Sequence, residues 1–223
     1  MPRKIVGGDD SLVASSRSDG RMGLIAEKAL RLFLDRGYQG TSVRDIAAAC
    51  GIDVKTLYYH IGAKENILVH IVNRELEYNE QFFSSPRHNA NPLALLNGAV
   101  EAWFRHCDEN QDAIMVIYRE IRHLPKAVRD RLLVNAMRGR AVFEVLLADA
   151  VRTGQADIDD PTLLAFNILA LGHMWALIRW DLPKRYTLEQ YTKRQTEWIE
   201  KIIGSAQVTH PVHRPTAQRQ TKP

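Results

Sequence analysis

The sequence predicts an all-α protein, on three observations. Apolar residues recur at spacings of three and four through most of the chain, and the period-two alternation of strands is almost absent. The strong breakers, Pro125, Gly154 and Pro183 among them, fall at intervals that a helix can fill. The balance of 45% apolar and 25% charged residues, with only 2 Cys, excludes a collagen-like, wholly disordered or disulfide-stapled chain. Residues 1–20, rich in Gly, Ser and Asp, and 205–223, rich in Thr, Gln, His, Pro and basic residues, offer no periodic apolar face and are expected to be disordered tails.

Between these ends the spacing predicts about nine helices. The first covers 21–36, where Ile25, Ala29, Leu32 and Phe33 form one stripe and Gly37 supplies a stop. Ser42-Val-Arg-Asp45 is a capping-box pattern that opens a short second helix to Ala49, with Val43, Ile46, Ala47 and Cys50 facing inward; Gly51 ends it. Asp53 caps a third helix over 54–61, with Leu57 and Ile61 on one face and Lys55, Thr56, Tyr58, Tyr59 and His60 over the rest. A fourth runs from Lys64 to about Phe83, roughly 30 Å at 1.5 Å per residue, the length of a rod between two domains. The remaining helices are expected at 92–109, 111–121, 125–153, 161–181 and 187–203. Asp160 before Pro161, and Thr187-Leu-Glu-Gln190 as a second capping box, mark the last two starts.

The formal charge of +4 and a pI of about 9.1 permit a polyanionic partner without demanding one; the basic excess lies at the two ends of the chain. Arg3 and Lys4 lead into Gly7 and Gly8 with no apolar run, so export is not expected. The most apolar stretch, 163–178, carries Asn167 and His173 and is shorter than the roughly 18–20 residues that cross a bilayer, which makes it a buried helix and leaves no membrane partner. Cys50 and Cys107 have no ligand spacing, the pattern of a reduced cytoplasmic protein. His210 and His213 lack a third ligand, so neither metal nor cofactor is expected. Nor is an enzyme: there is no Gly-rich phosphate loop, no His-Glu-x-x-His and no nucleophile elbow, and the side chains of His106 and Cys107 diverge on a helix.

The second and third helices, joined by a tight Gly-containing turn, have the form of a helix-turn-helix, whose second helix fits a major groove about 12 Å wide. Lys55, Tyr58, Tyr59, His60 and Lys64 can reach phosphates or base edges, Thr56 can donate and accept, Arg44 projects from the neighbouring helix, and Val54 offers a methyl to thymine. The competing reading is an ordinary solvated helix in a bundle. Adjacent surface tyrosines weigh against it, since large aromatics are less expected at a bare surface than Lys or Glu.

The run Gly37-Tyr-Gln-Gly-Thr41-Ser-Val-Arg-Asp-Ile-Ala-Ala-Ala-Cys-Gly51-Ile-Asp-Val-Lys-Thr-Leu-Tyr-Tyr-His60-Ile-Gly-Ala-Lys64-Glu-Asn-Ile-Leu68 resembles the tetracycline-repressor (TetR) family of bacterial transcription regulators. The resemblance implies a helix-turn-helix DNA-binding domain over 21–66 and a helical effector-binding and dimerisation domain over 67–204. It implies a homodimer that represses from a palindromic double-stranded operator until a small effector releases it. By the same resemblance Ser42, Arg44, Val54, Lys55, Thr56, Tyr58, Tyr59, His60 and Lys64 meet DNA, with Tyr58, His60 and Lys64 mainly on phosphates. Ile61, Cys50 and Lys55 depart from the family's usual Phe, Ala and small residue; Lys55 bears on which operator is read.

For the second domain, the residues singled out are Trp103 and Phe104, Met115, Tyr118, Arg119 and Arg122, and His173, Met174, Trp175, Arg179 and Trp180. Aromatics with a few cations suit an apolar ligand bearing an anionic group. Alternatively the Trp and Met side chains fill the core, and the arginines pair with Glu120, Asp130 and Asp181. The segments 117–122, 125–131 and 173–180 are loosely similar to the fatty-acid and acyl-CoA-responsive TetR regulators. That similarity implies an acyl-CoA thioester held by Trp103, Tyr118, Arg119, Arg122, His173, Trp175 and Arg179, a different hydrophobic ligand being the alternative.

Overall fold

The computed structural model describes residues 10–84 and 91–204, and among them there are ten α-helices, one 3-10 turn and no strand. The helices are α1 (Asp10–Gly40), α2 (Val43–Cys50), α3 (Val54–Ile61), α4 (Lys64–Ser84), α5 (Pro92–Glu109), α6 (Gln111–Glu120), α7 (Lys126–Arg152), α8 (Pro161–Leu177), α9 (Leu182–Arg185) and α10 (Leu188–Gly204); the 3-10 turn is Ile121–His123. Residues 1–9 and 205–223, with His210 and His213, lie outside the described residues.

Helix α1 starts at Asp10, so 10–20 are helical rather than part of a tail. That stretch holds no Pro and no Gly before Gly20, and a helix once nucleated adds residues at little cost. The expected stop at Gly37 appears as a break, with φ +76 and ψ 162. Both caps of the helix-turn-helix form as expected. Ser42 Oγ accepts from Asp45 N–H at 3.1 Å while Asp45 takes the Ser42 N–H at 2.8 Å, and Asp53 accepts from Thr56 N–H at 2.9 Å. Gly51, at φ +68, closes α2. Helix α8 ends at Leu177, earlier than expected, because Pro183 has no N–H to give the carbonyl of Arg179 and its ring crowds that turn.

Two apolar clusters hold the molecule together. The first joins Phe33 of α1, Ile46 of α2 and Leu57 of α3 to Ile67, Leu68 and Val72 of α4, and it continues into Val116 of α6 and Val128 of α7. The second packs Phe104 of α5, Phe143 and Leu147 of α7, Ile168 of α8 and Ile199 of α10. A boundary drawn at residue 66 therefore crosses a continuous core: most of α4 is packed with the helix-turn-helix.

At this junction α6 grips the kink in α1. Glu120, 5% exposed, accepts the Tyr38 N–H at 3.2 Å and the Arg119 Nε–H at 3.0 Å, while Arg119 also donates to the carbonyls of Phe33 and Leu34. His123 stacks on the Tyr38 ring and meets Gln39.

Candidate nucleic-acid interface and effector region

Helix α3 is held from below by Leu57 and Ile61, both buried, which turns its remaining side chains outward. Tyr59 is 86% exposed and Tyr58 46%, with Lys55 and, from α2, Arg44 exposed beside them. Other expected contacts have tasks inside the protein. Val54 packs partly on the first core cluster, the Thr56 hydroxyl donates to Asp53 at 2.6 Å, and the Ser42 hydroxyl donates to Asp45 at 2.6 Å. His60 meets Arg21 at 3.2 Å. Hydrogen bonds from Ser42 and from Thr56 hold the Asp45 and Asp53 carboxyls below the usual carboxylate range, so both caps stay ionised at neutral pH.

Lys64 is also engaged inside the protein. Its Nζ donates to the carbonyls of Tyr38 and Thr41 at 2.9 and 3.0 Å and lies 4.2 Å over the Tyr38 ring, and burial lowers its pKa. It satisfies carbonyls left open at the end of α1 and stays half-exposed.

The effector candidates separate into distinct places. Three come together: the Tyr118 hydroxyl and His173 Nδ1 are 2.8 Å apart, and Trp103 meets the His173 ring edge-on at 5.1 Å. Burial, partly opposed by Glu75, lowers the His173 pKa to about 4, so the imidazole is neutral at pH 7 and Tyr118 can donate to it. Trp175 is core, its Nε1–H donating to Asp108 at 2.7 Å. Phe104 is buried in the second cluster, whereas Trp180 and Met174 are exposed. The arginines leave the group: Arg119 binds α1, Arg122 meets His123 at 3.2 Å on the surface, and Arg179 pairs with Asp112. The expected joint site of aromatics and arginines is therefore not assembled here. For Arg119 and Arg179 the reason is that carbonyls and a carboxylate of neighbouring helices reach the guanidinium groups first.

Behind the aromatic group the structure adds residues that sequence reasoning missed. His106 Nε2 lies 2.6 Å from Glu75 Oε1, both buried, and the Asn110 amide donates to His106 Nδ1 at 3.0 Å, which leaves the ring proton on Nε2 to donate to Glu75. The available signal was a carboxylate at position 75 on the apolar stripe of Ile71, Val72 and Leu76. Glu75 and Asn110 also line a cavity of about 200 Å³ between α1, α4 and α6. A second groove, about 260 Å³, lies between α4 and α7, and a third, about 490 Å³, lies between α8 and α10. Trp198 lines the third, and Leu163, Phe166 and Met174 of α8 and Ile202 of α10 also expose their apolar side chains.

Among the described residues no helix is long and apolar enough to cross a membrane, and no group of three His, Cys, Asp or Glu could hold a metal ion.

Residues 25–71 match the family model for bacterial regulatory proteins of the tetR family, and residues 89–180 match a tetracyclin repressor-like C-terminal domain. The repressor KstR2 of Rhodococcus jostii (strain RHA1) is 30% identical over 175 residues, which span 76% of this chain and 83% of the relative. The regulator HbdR of Aromatoleum sp. (strain CIB) is 26% identical over 172 residues, 76% of this chain and 74% of the relative. A crystal structure of AibR in complex with isovaleryl coenzyme A and operator DNA superposes with a TM-score of 0.69 at 29% identity, covering 80% of this chain and 97% of that one. A helix-turn-helix with an exposed third helix, set on a helical second cluster and matched along both, makes the conclusion direct: the chain belongs to the TetR family of bacterial transcription regulators.

Proposed function

We propose that this protein is a dimeric repressor that reads a palindromic operator through α3 and is released by an acyl-CoA thioester. The observation that carries the DNA half is the exposed row of Lys55, Tyr58 and Tyr59 on a helix anchored by Leu57 and Ile61. Large aromatics on a rigid surface lose little conformational entropy on binding and present both a flat face and a hydroxyl. In this reading Arg44, Lys55, Tyr58 and Tyr59 touch DNA, and Ser42, Val54, Thr56, His60 and Lys64 set the angle of the helix that carries them. Residues 21–66, with the Ile67–Leu76 part of α4 packed against them, are then the DNA-binding head, and the rest of 67–204 provides effector binding and dimerisation.

The second subunit covers the apolar face of α8 and α10, which otherwise leaves Phe166 and Trp198 in water. Two heads then sit about one DNA turn, 34–36 Å, apart to read both half-sites. The acyl-CoA assignment draws on AibR, whose solved complex holds isovaleryl coenzyme A, and on the apolar group of Trp103, Tyr118 and His173 as the acyl end's seat.

Fluorescence anisotropy on duplex DNA from upstream of the gene tests the proposal, at two salt concentrations and with acyl-CoAs of several chain lengths added afterwards. Sequence-specific binding reversed by one acyl-CoA but not by free CoA is the expected result. Specific binding that no acyl-CoA reverses would leave the repressor and overturn its ligand. Binding that is only nonspecific and salt-sensitive would overturn the operator reading.

A further inference from the structure

We infer that the outer face of α7 pairs with the same face of a second copy of the chain, antiparallel and about a two-fold axis at Ala141, and so joins dimers into tetramers. The inference goes beyond the proposed repressor and does not depend on its effector.

Helix α7 buries one side, which carries Val128, Asn135, Phe143, Leu146, Leu147 and Ala150. A helix packed on one side ordinarily turns charged and polar residues to water on the other. On the outer side of α7, Val134, Met137, Ala141, Ala148 and Val151 instead follow at steps of three, four, seven and three, the spacing of a seam between two helices. All five are exposed, Met137 at 58%, and Leu133 and Val145, at 65% and 60%, widen the stripe. Glu144, which interrupts the spacing, is held by Arg140 at 3.0 Å and so enters a contact already paired.

The symmetry of the stripe points to its occupant. Val134 with Ala148, Met137 with Val145, and Asp130 with Arg152 are each centred on Ala141. An antiparallel copy about that point sets Met137 against the partner's Val145 and Asp130 against the partner's Arg152, each twice over, as a two-fold contact between identical surfaces requires. Parallel pairing would lay Asp130 beside Asp130 and Arg152 beside Arg152. Both charges are exposed and hold neighbours on their own helix, Lys126 at 2.6 Å and Asp149 at 3.0 Å, so the exchange costs little. The small side chains of Ala141 and Ala148 let the two helix axes approach to about 8 Å. From Asp130 to Arg152 the stripe is about 33 Å long, and at a helix width of about 10 Å it buries about 700 Å² over both copies. That is less than the roughly 1,200 Å² of a stable interface, so the pairing joins preformed dimers weakly and does not replace the face of α8 and α10.

Sedimentation equilibrium of the full chain without DNA, from about 1 to 200 µM, tests the inference. The expected result is tetramers that rise with concentration. Their formation should be at least about tenfold weaker in Ala141→Glu, which sets two carboxylates against each other on the axis. It should be unchanged in Ala136→Glu, exposed on the same helix but off the stripe. Asp130→Arg should weaken the tetramer, and Asp130→Arg combined with Arg152→Asp should restore it. In a Cys50→Ser background, mild oxidation should cross-link Ala141→Cys between copies and leave Ala136→Cys unlinked. All these α7 positions are exposed, so circular dichroism should show every variant folded. A dimer that no stripe variant disturbs, its α7 face then serving some other partner, would overturn the pairing, as would equal losses in Ala141→Glu and Ala136→Glu. Failure of the charge exchange to restore tetramers overturns the antiparallel register. A dimer that Ala141→Glu splits into monomers supports the α7 pairing and overturns the assignment of the second subunit to α8 and α10.

Discussion

Replacing Glu120 with Ala tests whether α6 is latched to the kink of α1 as the structure shows. The carboxylate is 5% exposed and receives the Tyr38 N–H at 3.2 Å and the Arg119 Nε–H at 3.0 Å, with His123 at 3.7 Å. Alanine leaves the Tyr38 N–H without its acceptor at a position that Gly37, at φ +76, turns toward α6. A hydrogen bond to a charged group contributes about 1.5–3 kcal/mol, and leaving a buried donor unsatisfied costs about 1–3 kcal/mol. These overlap, and Arg119 is exposed enough to regain water, so the net loss is about 2 kcal/mol. For a chain of this size that corresponds to a melting temperature lower by about 4–8 °C. Glu120→Gln keeps an oxygen for Tyr38 N–H and should lose less than half as much. Calorimetry at one fixed protein concentration reads both values, since a dimer's melting temperature depends on concentration. A Glu120→Ala protein melting within 1 °C of the unmodified one would show that the latch contributes nothing, and the coupling of α6 to α1 would have to be abandoned.

Tyr59→Ala should leave thermal stability unchanged, because the ring is 86% exposed, and should weaken operator binding on anisotropy by about tenfold or more, as each dimer loses two contacts; unchanged affinity would remove α3 from the interface. Gly172→Ala drives a methyl to within 2.7 Å of Trp103 Cδ1 and 3.0 Å of Cys107 Sγ, whereas Gly98→Ala on α5 meets nothing within 4 Å. Urea unfolding should find the first destabilised by about 1–2 kcal/mol, overpacking outweighing helix propensity, and the second stabilised by up to about 1 kcal/mol; the reverse order would contradict the α5–α8 packing. Burial chiefly lowers the His173 pKa to about 4, against an ordinary 6.5, so as pH falls the unfolded chain takes up the proton first. Its contribution to stability is complete above about pH 6.5 and falls by at most about 3 kcal/mol down to pH 4. Stability measured across that window should flatten in His173→Gln, and an unchanged slope would mean that the imidazole is not excluded from water.

Periodicity, caps and breakers determined the helices, because each is a local property of the chain. Ser42 with Asp45, Asp53 with Thr56, and Gly51 each act within a few residues, and the structure keeps all three. Gly37 was legible as a stop for the same reason, and the run 37–68 carried the family. What a long side chain binds is decided by whatever the fold brings near it. Arg119 could not be placed from sequence, since its partners Phe33 and Leu34 lie some 85 residues away, and Arg179 and Lys64 likewise meet distant groups. The pairing of Glu75 with His106, the 93%-buried Asn135 and the groove beneath Arg131 and Arg138 exist only once α4 lies against α5 and α7. The sequence by itself therefore determined most of the helices and the exposed face of α3, but neither the start of α1 nor the break between α8 and α9. Tertiary structure decided which partner each charged side chain meets, because charge-assisted hydrogen bonds form with the nearest partner in space, whatever its distance along the chain.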